Sequence, residues 1–146
     1  MNNLSISIPD DQLIRTLYIT MRTFTKGVND VLKEFDLYSS EWSVLNFVHT
    51  HSQITQSEIA AALAVENAAI SKTLRNMERK GLITRTLSPG DRREKRISLS
   101  TKGKALFPQA QQAIAAHRSQ ALSNLSQPDR DQLYSYIHTI LQTIRT

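Results

Sequence analysis

Apolar residues return at alternating steps of three and four early in the chain: Ile14, Leu17, Met21, Phe24, Val28, Val31 and Phe35. On a helix of about 3.6 residues per turn that spacing makes one stripe, so residues 10–36 predict a long helix with a seam suited to another helix. Ser7, Pro9 and Asp10 supply its expected start. Residues 40–51 predict a shorter helix, with Trp42, Leu45 and Val48 on one face and Val44 and Phe47 beside them. Thr55-Gln56-Ser57-Glu58 has the capping-box pattern and opens a short helix, SEIAAALA. Beyond Val65-Glu66, the run NAAISKTLRNMERKG repeats its apolar residues at Ile70, Leu74 and Met77, and Gly81 closes it. Two short helices joined tightly, the second two-faced, have the layout of a helix-turn-helix.

The period then changes. LITRTL (82–87) and RISLS (96–100) are short, β-branched and alternating, and SPGDRREK lies between them. The pattern predicts a β-hairpin with a basic tip. Ser100 is placed to cap a long helix over about 101–123, with Pro108 positioned to kink it near its start. Ser126-Gln127-Pro128-Asp129 repeats the cap signature, and the helix after it is expected to bury Leu133, Ile137, Ile140, Leu141 and Ile144 on one stripe. One small domain has too little core to cover the stripes of the first and last two helices. Pairing two copies through the chain ends would cover them, so a homodimer is expected.

Length and composition narrow the picture. The chain has 146 residues, enough for one domain with a real core. It has no cysteine, which removes disulfides, thiolate metal sites and thiol redox chemistry. No apolar run is long enough to span a membrane, and the MNNLSISIPDD start lacks the layout of a signal peptide, so a soluble cytoplasmic protein is expected. The formal charge is +5, but residues 66–104 hold eleven Lys and Arg against four acids, which leaves the remainder slightly acidic. From Arg92 to Arg96, four of five residues are cationic. A solvated face can carry such charge. Here it coincides with both the two-faced helix and the hairpin, which is the footprint of a nucleic-acid surface.

Catalytic chemistry has no such footing. His49, His51, His117 and His138 are scattered, and the first two are two residues apart, so they diverge on a helix and make a poor metal pair. Only four glycines are present, with no phosphate loop among them. No enzyme activity, metal or cofactor is expected.

LYSSEWSVLNFV, TQSEIAAALAVENAAISKTLRNMERKGLI and DRREKRISLSTKG together resemble the MarR/SlyA family of winged-helix transcriptional regulators. The specific parts are KGLI at 80–83 and the Asp91-x-Arg93 step before SLSTKG. The resemblance implies a mainly α fold with a small β-hairpin wing. Residues 37–100 would form the winged helix-turn-helix, and residues 1–36 and 101–146 the dimerisation helices. It also implies a homodimer on a palindromic operator in double-stranded DNA, released by a small ligand or another signal. The absence of cysteine sets aside the branch of the family that senses peroxide through a thiol.

The outward positions at the start of the 66–81 helix are Asn67, Ala68, Ala69, Ser71, Lys72 and Arg75. The alanines permit close approach and can touch a thymine methyl; Asn67 matches adenine, and Lys72 or Arg75 matches guanine. A hairpin tip is narrow enough for the minor groove, about 6 Å wide. Arg93 resembles the family's wing arginine, and Asp91 the acid that orients it. Arg92, Lys95 and Arg96 are expected on phosphates, with Thr55, Gln56 and Ser57 as a further phosphate clamp. The family also carries a ligand crevice; here Met21, Arg22, Tyr38, Trp42 and His49 are its expected lining, for a small aromatic or acidic ligand. Met21 and Trp42 also read as plain core residues. The competing reading of the whole chain is a winged-helix module that meets an acidic protein partner without reading DNA sequence.

Overall fold

The computed structural model describes residues 7–88 and 91–146, with backbone alone at 88 and 91–94. Helix α1 (Asp10–Leu32) runs into a 3-10 turn at Lys33–Phe35, and Asp36 redirects the chain with a left-handed backbone, φ 53°. Then come α2 (Ser39–Thr50), a short strand β1 (Ile54–Thr55), α3 (Gln56–Leu63) and α4 (Asn67–Arg79). A hairpin of β2 (Ile83–Ser88) and β3 (Asp91–Leu99) leads to α5 (Thr101–Ala121) and α6 (Gln127–Arg145). The order of helices and hairpin is the one the sequence predicts, and the fold is mainly helical with one small antiparallel sheet.

Three helix starts have the expected local cause, a hydroxyl that accepts one of the first-turn N–H groups. Thr55 Oγ1 accepts from Glu58 N–H at 3.2 Å, Ser100 Oγ from Gly103 N–H at 3.0 Å and Ser126 Oγ from Asp129 N–H at 3.2 Å. α1 departs from expectation. Its cap is Pro9, without a side-chain bond, so Ser7 takes no part. Asp10 and Asp11 in the first turn meet the positive end of the helix dipole instead. α5 continues through Pro108, which carries no N–H for the carbonyl of Lys104.

The sheet runs in the order β1-β3-β2. β1 is absent from the sequence prediction. Two residues are too few for an alternating pattern, and they pair with partners far along the chain, Ile54 with Ile97 and Thr55 with Arg96. Along the hairpin, Ile83 faces Leu99 and Leu87 faces Lys95, but Ser88 faces Asp91. The register therefore slips at the far end, and residues 91–95, expected in the tip, belong to β3. Charge does not prevent pairing, because the ladder is made by backbone groups alone.

The core lies where α2, α3 and α4 meet the sheet. Val44, Leu45, Ile59, Leu74, Met77 and Ile97 have no exposed surface, and Phe107, Ala110 and Ile114 of α5 close it. Each of these side chains larger than alanine contributes about 1.5–3 kcal/mol. Of the α1 seam only Val28 is buried, and fully buried Leu32 lies off the predicted seam. Ile14 and Met21 are exposed. α6 buries nothing within its own chain, and Leu133, Ile137, Ile140, Leu141 and Ile144 all lie in solvent. Among the described residues nothing passes over that stripe, so the expected burial is not met within a single copy.

Candidate nucleic-acid interface

Between α3 and α4 the chain turns without glycine. Ala64 takes the left-handed conformation, φ 53°, and Val65 N–H returns to Ala60 O at 3.0 Å. This closes α3 and aims α4 outward. α4 buries Ile70, Leu74 and Met77, which fixes its rotation. The opposite face carries the predicted set: Asn67, Ala68, Ala69, Lys72 and Arg75 are exposed and Ser71 is half-buried. Arg75 Nη1 donates to Ser71 Oγ at 3.2 Å. Gln56 Nε2 donates to Asn67 O at 3.5 Å, a weak tie from the start of α3 to the start of α4. Glu66 offers the helix no side-chain cap, so its first-turn N–H groups have no cap acceptor from that residue.

On the wing, Lys95 is exposed. The side chains of Asp91, Arg92 and Arg93 lie outside the described residues, so the expected contact of Asp91 with Arg93 does as well. Arg96, expected on phosphate, is held within the fold. Its Nη1 donates to Gln53 O at 3.3 Å and lies 3.7 Å from Glu58 Oε1. Gln53 itself has a left-handed backbone, φ 58°. Thr55 is 2% exposed and its hydroxyl caps α3, which withdraws its side chain from the expected clamp. Ser57 is exposed and Gln56 half-buried at the same helix start.

Part of the basic segment is internal structure, which the charge count could not show. Lys80 Nζ donates to Asp36 O at 2.6 Å and to Glu41 Oε1 at 2.8 Å. Lys102 Nζ donates to Lys80 O at 2.8 Å, and Arg85 Nε meets Glu78 Oε1 at 2.5 Å. Glu41 is 1% exposed, an anion in the core that the sequence reading missed. Its one local signal is the i, i+3 spacing to Tyr38, whose N–H it accepts at 2.9 Å.

Of the five residues expected to line a ligand crevice, Met21 and Arg22 share a groove, and Trp42 and His49 share the ring of Phe107. Trp42 is core, stacked on Phe107 with centroids 5.4 Å apart. Met21 and Arg22 border a groove on α1 with Tyr18 and Lys26, while Tyr38 borders a separate cleft with Asn76, Arg79 and Lys80. His49 stacks on Phe107 at 3.7 Å and lines a third cleft of about 490 Å³ with Ser52, Gln53, Ser98 and Lys104.

Residues 37–95 match the model of the MarR family. An uncharacterized HTH-type transcriptional regulator of Bacillus subtilis strain 168, YwoH, is 27% identical over 94% of this chain and 99% of its own. The Staphylococcus aureus MepR–DNA complex superposes with a TM-score of 0.83, 27% identity, and coverage of 94% of this chain and 99% of that one. A mutant MarR from Escherichia coli complexed with operator DNA gives a TM-score of 0.84 at 23% identity, over 89% of this chain and 94% of that one, a likeness of fold. Among the described residues no helix is long and apolar enough to cross a membrane.

Proposed function

We propose that this chain, which belongs to the MarR family of transcriptional regulators, binds a palindromic operator in double-stranded DNA as a homodimer. The observation that carries the reading is the exposed face of α4. Small residues at Ala68 and Ala69 let the helix approach base edges, Asn67 is suited to adenine, and Lys72 and Arg75 to guanine. The MepR neighbour is a DNA complex, which supports DNA as the partner. The wing reaches the minor groove through Arg93, oriented by Asp91, while Arg92, Lys95, Ser57 and Gln56 meet phosphates. Arg96 serves mainly to brace the wing.

The dimer forms through residues 1–36 and 101–146. Ile14, Tyr18 and Met21 on α1 and the α6 stripe would otherwise leave a broad apolar surface in water. The remaining segment, 37–100, is the DNA-binding unit. A small aromatic or acidic ligand modulates binding. The cleft beside His49 suits one, since Val48 and Leu99 give it apolar walls and Lys104 a single cation.

Fluorescence anisotropy on genomic and random duplexes across a salt series tests the reading. With about six to ten phosphates neutralised per dimer, log affinity falls against log salt with a slope of about −5 to −9. Footprints are two-fold symmetric, with half-sites about one helical turn apart. Salt-insensitive binding, or equal preference for an acidic protein surface, sinks the reading in favour of a protein-interaction module.

A further inference from the structure

The chain passes between its terminal helices and its winged unit at two places far apart in sequence, after Phe35 and before Thr101. Both are tied to the end of α4. At the first, Lys80 Nζ donates to Asp36 O at 2.6 Å and to Glu41 Oε1 at 2.8 Å. The same Glu41 oxygen accepts from Tyr38 N–H at 2.9 Å. At the second, Ser100 N–H donates to Leu82 O at 3.0 Å and Ser100 Oγ to Gly81 O at 2.5 Å. Lys102 Nζ donates to Lys80 O at 2.8 Å. Residues 80–82 thus hold both crossings at once.

The first tie is electrostatic and enclosed. Glu41 is 1% exposed and the Lys80 side chain 22%. A buried pair of this kind adds little net stability over an apolar pair of equal volume, but it tolerates few geometries, because a displaced partner leaves a charge without compensation. Its consequence is therefore orientation rather than strength. Asp36 is the residue at which α1 is redirected into the winged unit, so fixing Lys80 to its carbonyl fixes the angle between α1 and α4.

We infer that Lys80 is a positioning residue for operator readout: through Asp36 and Glu41 it sets the pose of α4 against α1, and with it the separation of the two recognition helices in the dimer. The inference rests on the homodimer reading above. In a symmetric dimer, half-site spacing follows from that separation, and one base pair is about 3.4 Å. A loosened joint admits more than one spacing while leaving the base-reading side chains untouched.

Selection from a random duplex pool tests it, run in parallel on wild type and on the Glu41→Gln/Lys80→Met double variant. Removing both charges avoids stranding one, and the glutamine carbonyl still accepts from Tyr38 N–H. Thermal melts establish that the double variant is folded; should it unfold, Glu41→Gln alone takes its place. The variant is expected to select the same half-site as wild type, with its preference for the best spacing over neighbouring spacings lowered about 3- to 30-fold. A folded variant that keeps the wild-type spacing preference overturns the inference, as does one that loses the half-site motif itself. If wild type selects no paired half-sites, the homodimer reading falls, and the inference with it.

Discussion

Gly103 packs its bare Cα against the carbonyl oxygen of Leu82, so closely that any side-chain carbon there would overlap it. That oxygen is backbone and already accepts from Ser100 N–H at 3.0 Å, so it has no room to give. The STKG step at 100–103 is thereby explained physically. Serine caps α5, lysine reaches back to Lys80 O, and glycine allows the first turn of α5 to close on the end of the helix-turn-helix. Gly103→Ala should destabilise the fold by about 1–3 kcal/mol through overpacking. Urea denaturation measures this, and an unchanged midpoint would contradict the close approach.

The α6 stripe gives a second prediction. Ile137 is 47% exposed in the single chain, and Ile137→Glu should leave the fold of one copy intact. In a symmetric dimer the change enters twice, so association should weaken by about 3–6 kcal/mol. Sedimentation then finds monomers or aggregates at micromolar concentration, with helical circular dichroism retained. A stable dimer of the variant argues for a different interface.

Two lysines should separate base reading from positioning. Lys72→Ala, on the exposed face of α4, should cost about 1–3 kcal/mol on operator and far less on random DNA. Lys95→Ala, exposed on the wing, should weaken both alike and reduce the salt slope by about one unit per site. Anisotropy titrations at several salt concentrations read both. Equal losses on operator and random DNA for Lys72→Ala would remove it from the reading set.

For the wing, Arg93→Ala should weaken operator binding by about 1–3 kcal/mol. Asp91→Ala should do nearly as much, since an arginine that is not held must be ordered on binding at about 0.5–1.5 kcal/mol, besides losing its aim. The double variant should lose clearly less than the sum. Tighter binding by Asp91→Ala would mean that the carboxylate only repels DNA.

The sequence by itself determined what depends on neighbours within one or two turns. The hydroxyl caps at Thr55, Ser100 and Ser126, the Ile70, Leu74 and Met77 stripe that rotates α4, the order of elements and the basic segment are all local properties. The exposed face of α4 followed from them, because burying one stripe of a helix leaves the opposite one outside. Only the tertiary structure decided what needs distant residues to meet. Ile54 finds Ile97 in a strand too short to carry a pattern, and Glu41 finds Lys80 from another helix. Arg96 meets Gln53 O and Glu58, contacts across more than thirty residues that no local pattern shows. Leu32 is buried in place of most of the α1 seam because the pose of α1 on α2 and α5, rather than its own periodicity, chooses the buried face. Trp42 and His49 meet at the ring of Phe107 for the same reason: periodicity fixes the face of a helix on which a residue lies, and packing fixes what that face meets.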